Sequence, residues 1–172
     1  MNLRSCFLPA ALVAAAILPL QAGRGPSTPE ERARVLKLAE AAPTDALRLM
    51  ATEGRWFAKW MEEVPDFSFG PEAPARWMEG AVKGDLRRVA IFLYEVGGVA
   101  YQIRHQVPDA RKAPEHLLPT HTAALESVVR AYAALRDLKP ENRSPKLDEA
   151  LERLEAGTFP AFVAGLFPAK RG

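Results

Sequence analysis

The stretch that decides the fold runs from Leu86 to Val107 and reads LRRVAIFLYEVGGVAYQIRHQV. It is the most apolar segment that follows the N-terminal region, and its apolar residues would lie on most sides of a helix. A helix of this kind is normally the central one of a bundle. Within it, the pair Gly97 and Gly98 predicts a close contact with a neighbouring helix. The stretch therefore predicts an all-α fold built around one central helix.

Further helices are predicted on both sides of this stretch. Thr28 and Glu31 form a capping box with Pro29 at the first helical position, and Ser144 with Pro145 opens a later helix in a similar way. Apolar residues spaced three and four apart continue each helix. We predict a single-domain bundle of five to six helices over residues 23–172, with a short apolar segment docked on it. The flanking segments have the approximate bounds 29–41, 44–64, 72–83, 120–138, 145–157 and 159–167.

Composition and charge limit the classes of function. The chain has 172 residues, of which 48% are hydrophobic, and this is enough apolar material for one well-formed core. Lys plus Arg is 23 and Asp plus Glu is 21, so the net charge is only +2. Such a balance argues against binding driven by bulk charge, and we expect no nucleic-acid partner. The one cysteine excludes an internal disulfide, a zinc finger and an iron–sulfur site.

The first 22 residues have the layout of a secretory signal peptide. A short basic start, Met1–Arg4, precedes a run without charge, Phe7–Leu20, and Ala22 offers a small residue at a cleavage point. The run is short for a membrane span. We therefore expect residues 1–22 to direct export, which makes the protein periplasmic or secreted. No later apolar run reaches membrane length, so no transmembrane segment is expected after cleavage.

A cluster of chemically versatile residues follows the central stretch. All three histidines of the chain, His105, His116 and His121, lie within 17 positions, and Asp109 and Glu115 lie among them. Imidazole nitrogens and carboxylate oxygens are the ligands that zinc prefers in hydrolytic sites. The pattern also fits three unrelated histidines at the surface or near helix ends, where the charged form suits the helix dipole. Zinc is accordingly the one cofactor that the sequence suggests.

Polar residues also form a stripe along the predicted central helix. Arg88, Glu95 and Gln102 are spaced seven apart and His105 follows three positions later, so all four lie on one side. The stripe could face solvent. It could also form a polar seam inside the bundle, where Glu95 would be partly buried. Burial would raise the pKa of its carboxyl group and make it available as a general acid or base.

The segment from Gly97 to His116, GGVAYQIRHQVPDARKAPEH, resembles the zinc-dependent phospholipase C and single-strand nuclease superfamily. His105 and Asp109 match its H-x3-D pair, and Pro114 with His116 matches its later Pro-x-His, one residue late. The resemblance implies an exported, all-α protein that binds zinc. Members of the superfamily use several more histidines, so the resemblance implies here a single metal or a non-catalytic relative.

Two functions follow from these patterns. The first is an exported, non-catalytic binding or interaction module of the cell envelope, whose partner is a protein or a small molecule. This hypothesis predicts that replacing the three histidines together leaves stability largely unchanged. The alternative is a zinc-dependent, phosphodiesterase-like hydrolase. Its metal ligands would be His105, Asp109, His116 and His121, and its catalytic base would be Glu95 or Glu115.

Overall fold

The computed structural model describes residues 24–168, which form six α-helices. The predicted signal peptide, residues 1–22, lies outside the described part of the chain. The predicted all-α bundle is confirmed, since the one β-type pairing among the described residues is an isolated bridge between Ser68 and Asp109. No helix within residues 24–168 combines the length and hydropathy of a membrane span. The helices are α1 (Pro29–Glu63), α2 (Ala73–Ala81), α3 (Gly84–His105), α4 (Pro114–Leu135), α5 (Pro145–Glu155) and α6 (Phe159–Leu166).

The central helix is α3, as predicted. Twelve of its 22 residues are buried, and it packs against both α1 and α4. The predicted close contact at Gly97 is confirmed, because a Cβ atom added there would lie 2.6 Å from Cβ of Ser127 on α4. Asp85 does not cap this helix. Its exposed carboxylate accepts a hydrogen bond from Arg88 instead.

The prediction of two helices over 29–41 and 44–64 is confirmed, because α1 consists of two helical segments that meet at a kink. At the kink, Asp45 has φ and ψ of −138° and 26°, which are not helical. Pro43 has no backbone N–H and disturbs the hydrogen-bond ladder here. Thr44 does not cap a new helix, since its hydroxyl donates back to the carbonyl of Ala41 at 3.2 Å. The predicted capping box of Thr28 and Glu31 at the start of α1 is confirmed.

The structure also moves the start of α4 six residues upstream of the predicted 120. Pro114 occupies the first turn, where the absence of an N–H costs nothing. Pro119 lies inside the helix, although a proline normally interrupts one. The hydrogen bond it lacks would end on the carbonyl of Glu115, in the exposed first turn. His116 is therefore a helical residue and not part of a loop.

The predicted start of α5 at Ser144 and Pro145 is confirmed, and it joins three helices. Ser144 caps the backbone N–H of Leu147 and donates from its hydroxyl to the carbonyl of Ala81, at the end of α2, at 2.6 Å. The backbone N–H of Ser144 donates to the hydroxyl of Tyr132 on α4 at 2.9 Å. The last helix, α6, agrees with the predicted 159–167 segment and buries Phe159 and Val163 against the bundle.

Candidate functional site

The three histidines do not converge on one point. His121 lies on α4 and is completely buried, with Nδ1 2.6 Å from the hydroxyl oxygen of Tyr94 on α3. The rings of Phe69 and Phe167 pack edge-on against the His121 imidazole, with centroids 5.4 and 5.7 Å away. Because His121 is a core residue, replacing all three histidines together would also disturb the core, so this experiment does not isolate a functional role of the histidines.

The other two histidines meet at Tyr101. The imidazole of His105 stacks on the Tyr101 ring with centroids 4.1 Å apart, and Nδ1 of His116 lies 3.1 Å from the Tyr101 hydroxyl oxygen. The ring centroids of His105 and His116 are 6.1 Å apart. The position of α4, which begins at Pro114, brings His116 back beside the end of α3. Two of the four predicted zinc ligands thus lie side by side at the surface.

The two acidic candidates have other neighbours. Asp109 follows the end of α3, where Gln106 turns the chain with a φ of 56°, and it caps a short 3-10 turn. The Arg111 side chain and backbone donate to the Asp109 carboxylate and, with a further hydrogen bond from Lys112, hold its pKa below the usual range. Glu115 is exposed in the first turn of α4. Within residues 24–168 no three His, Cys, Asp or Glu side chains are grouped as metal ligands. Zinc binding therefore stays a prediction.

The polar stripe on α3 passes from solvent into the protein. Arg88 is exposed, Glu95 is half-buried, and Gln102 is completely buried. No hydrogen bond or ion pair of normal geometry links the Glu95 carboxylate to another described residue. Burial raises the pKa of Glu95. His105 is exposed at the end of the stripe. The seam interpretation thus fits the middle of the stripe, and the solvent interpretation fits its two ends.

Glu95 opens onto a cleft of about 430 Å³, within the size range of small-molecule sites. We call it the Glu95 cleft. The walls come from the end of α1, the loop 65–71, α2 and α3. Most of the lining is apolar, and it includes two methionines and three aromatic rings. The lining residues are Met61, Phe67, Ser68, Phe69, Gly70, Pro71, Ala75, Met78, Glu79, Ile91, Tyr94 and Glu95.

The loop 65–71, which forms one wall of the cleft, is fixed by backbone hydrogen bonds. Ser68 donates to the carbonyl of Pro108 at 3.0 Å and accepts from the N–H of Ala110 at 2.9 Å. The side-chain amide of Gln102 donates to the carbonyls of both Ser68 and Pro108. These bonds join the loop to the segment that follows α3. These hydrogen bonds therefore fix the conformation of this wall without a ligand.

Phe69 anchors the same loop in the core. Its ring lies against Gly98, where an added Cβ atom would be 2.5 Å from Cζ, and its centroid is 6.0 Å from that of Tyr94. Sequence reasoning missed this role of the loop. The available signal was the alternation of Phe67, Ser68 and Phe69 in a segment that is short and bounded by prolines. It indicates an extended segment whose two phenylalanine rings lie on the same face.

A buried polar pair lies behind the cleft. Desolvation raises the pKa of the Tyr94 hydroxyl well above its usual range, and the negative charge of Glu72 acts in the same direction. Desolvation lowers the pKa of His121, although the Phe69 backbone and Glu72 oppose this. Nε2 of His121 is buried without a hydrogen bond of normal geometry. The imidazole is therefore held neutral beside a neutral phenol.

We expect the neutral state of His121 to make stability pH-dependent. A histidine whose pKa is lowered on folding binds more protons in the unfolded chain. Its contribution is then fully present above the unfolded pKa of 6.5 and is lost as the pH falls towards the folded pKa. The free energy of unfolding should fall by up to about 1.4 kcal/mol for each pH unit below that point. Urea denaturation at pH 8, 7, 6 and 5 measures the slope.

His121→Gln should remove this slope, whatever its effect on stability at pH 8. His105→Gln is the matched control, because His105 is exposed and should leave the slope in place. An unchanged slope in His121→Gln would mean that the buried imidazole is not its source.

Comparison with protein-family models, with curated proteins and with solved structures found no match for this chain. The resemblance to the zinc-dependent phospholipase C and single-strand nuclease superfamily accordingly remains a prediction from about 20 residues.

Proposed function

We propose that the protein is an exported, non-catalytic binding module that holds a small molecule in the Glu95 cleft. The observation that carries the proposal is a mostly apolar cleft of about 430 Å³ that contains the Glu95 carboxyl group, for which no described residue supplies an ion pair. Apolar lining supplies binding free energy, and a single polar group sets the orientation of a ligand. Residues 1–22 support export to the periplasm or the medium.

The construction of the cleft also supports binding. Phe69 is buried at 6% exposure, while Met61, Phe67 and Ile91 are half-buried and present apolar surface to the cleft. Covering such surface is favourable by about 25 cal/mol for each Å². The hydrogen bonds of Gln102 hold the loop in place, so a ligand does not have to order it. The envelope partner of the protein is, on this proposal, a small molecule.

A fluorescent probe tests the proposal directly. N-phenyl-1-naphthylamine is uncharged and emits strongly only in apolar surroundings, so we expect saturable fluorescence on titration with the full mature protein. Ile91→Trp places an indole in the cleft and should reduce the saturating signal by at least fivefold. Leu138→Trp is the matched control, because Leu138 is an exposed apolar residue that does not line the cleft.

Equal signals from Ile91→Trp and Leu138→Trp would show that the dye binds elsewhere and would contradict the proposal. Melting curves of both variants confirm that each is folded. A saturable dye signal that Ile91→Trp abolishes and Leu138→Trp leaves unchanged would support the proposed binding function.

A further inference from the structure

The charged groups that line the Glu95 cleft are all acidic. Of the twelve lining residues only Glu79 and Glu95 carry a charge, and none is Lys, Arg or His. Glu79 is exposed and already paired with Arg87, whose Nη2 lies 2.8 Å from its Oε2. Glu95 has no such partner among the described residues. The cleft therefore contains one carboxyl group whose charge nothing on the described surface neutralises.

We infer that the ligand of the Glu95 cleft is an organic cation with an apolar body, such as a primary amine carried on an aromatic or alkyl chain. The inference rests on the proposed function and specifies its ligand class. The ammonium group would pair with the Glu95 carboxylate, and the apolar body would cover Met61, Phe67 and Ile91.

The energetics of covering Glu95 distinguish three classes of ligand. A neutral apolar molecule removes water from the carboxylate without replacing its hydrogen bonds, so it binds less tightly than its apolar contacts alone would allow. An anion adds repulsion to that cost. A cation replaces the lost water with a charge-assisted hydrogen bond, which is about twice as strong as one between neutral groups. Complementary charge thus favours the amine over an alcohol or an acid of the same shape.

The lining also suits the remainder of such a molecule. The half-buried aromatic ring of Phe67 borders the cleft and supplies apolar surface. Met61, which is also half-buried, adds a flexible, polarisable thioether that adapts to different apolar shapes. The cleft is therefore expected to favour a cation while accepting apolar parts of different shapes.

Three probes of one shape test the inference: 4-phenylbutylammonium, 4-phenylbutanol and 4-phenylbutyrate. Isothermal titration of the mature protein should give the tightest binding for the ammonium probe and the weakest for the butyrate. Glu95→Gln keeps the shape of the side chain and removes its charge. It should lower the affinity for the ammonium probe about tenfold or more and change the affinity for the alcohol by less than threefold.

Glu62→Gln is the matched control, because Glu62 is an exposed glutamate on α1 that does not line the cleft. It removes the same charge and should change none of the three affinities. Melting curves show that each variant is folded.

The outcomes separate this inference from the proposed function. If the ammonium and alcohol probes bind equally well, and Glu95→Gln changes neither, the cleft binds ligands without selecting a cation and the inference is overturned. If no probe binds and Ile91→Trp leaves the dye signal unchanged, both the inference and the proposed function are overturned. An ammonium preference that Glu95→Gln abolishes supports both.

Discussion

Replacing Gly97 by valine is expected to lower the free energy of unfolding by about 3 kcal/mol, or more if α3 and α4 have to separate. An added Cβ atom would lie 2.8 Å from the carbonyl oxygen of Ala123 and 3.2 Å from Cα of Ala124. These are backbone atoms of α4 and cannot turn aside as the end of a flexible side chain can. Thermal denaturation should show a melting temperature lower by roughly 6–12 °C for a domain of this size.

Gly165→Val is the matched control for this experiment. Gly165 lies in α6 and is exposed, and a Cβ atom added there meets nothing within 4 Å. The control makes the same change in a helix, so the difference between the two variants isolates the contact between α3 and α4. Valine is a slightly better helix former than glycine, so Gly165→Val should change stability by less than about 0.5 kcal/mol. Equal losses in the two variants would contradict the explanation by close packing.

Local features of the sequence predicted most of the fold. The capping box at Thr28 and the Ser144–Pro145 start both depend on residues within one turn of each other, and both are confirmed. The run 86–107 identified the central helix because its burial follows from its own hydropathy. The contact at Gly97 was also predictable, since an α-helix rarely contains two adjacent glycines without a packing reason.

One error came from applying a local rule without regard to position. Pro119 normally breaks a helix, but its missing hydrogen bond falls in the exposed first turn of α4. The site depended on tertiary contacts. Nothing in the spacing of the histidines separates His121, which lies in the core, from His105, which is exposed. Sequence reasoning raised Glu95 as a partly buried carboxyl, but the loop that walls its cleft lies about 25 positions earlier in the chain.

Phe69→Ala is expected to cost about 3–5 kcal/mol, the usual range for removing a buried phenylalanine. Its ring packs on Gly98, on the Tyr94 ring and on the His121 imidazole, so its loss leaves a cavity between α3 and α4. The loop 65–71 should then lose its anchor while the hydrogen bonds of Ser68 remain. We expect saturable binding of N-phenyl-1-naphthylamine to be lost together with stability. Urea denaturation and dye titration of the same sample measure the two effects.

A double-mutant cycle with Gly98→Ala tests whether the Phe69 ring and the glycine form one packing unit. Alone, Gly98→Ala forces the Phe69 ring to move, because the new Cβ atom would lie 2.5–2.9 Å from three of its atoms. In Gly98→Ala/Phe69→Ala the new methyl group has no ring to meet and fills part of the cavity. The double variant should therefore be more stable than the sum of the single changes predicts, by about 1–3 kcal/mol.

The coupling should be specific to this pair. Phe159 is also buried, at 2% exposure, but it packs on Phe162 of α6, so Gly98→Ala and Phe159→Ala should be additive within about 0.5 kcal/mol. Additivity of Gly98→Ala with Phe69→Ala would mean that the ring does not depend on the glycine for its place. A coupling at Phe69 alone would establish that Gly98 makes room for the ring that anchors the wall of the Glu95 cleft, as Gly97 makes room for α4.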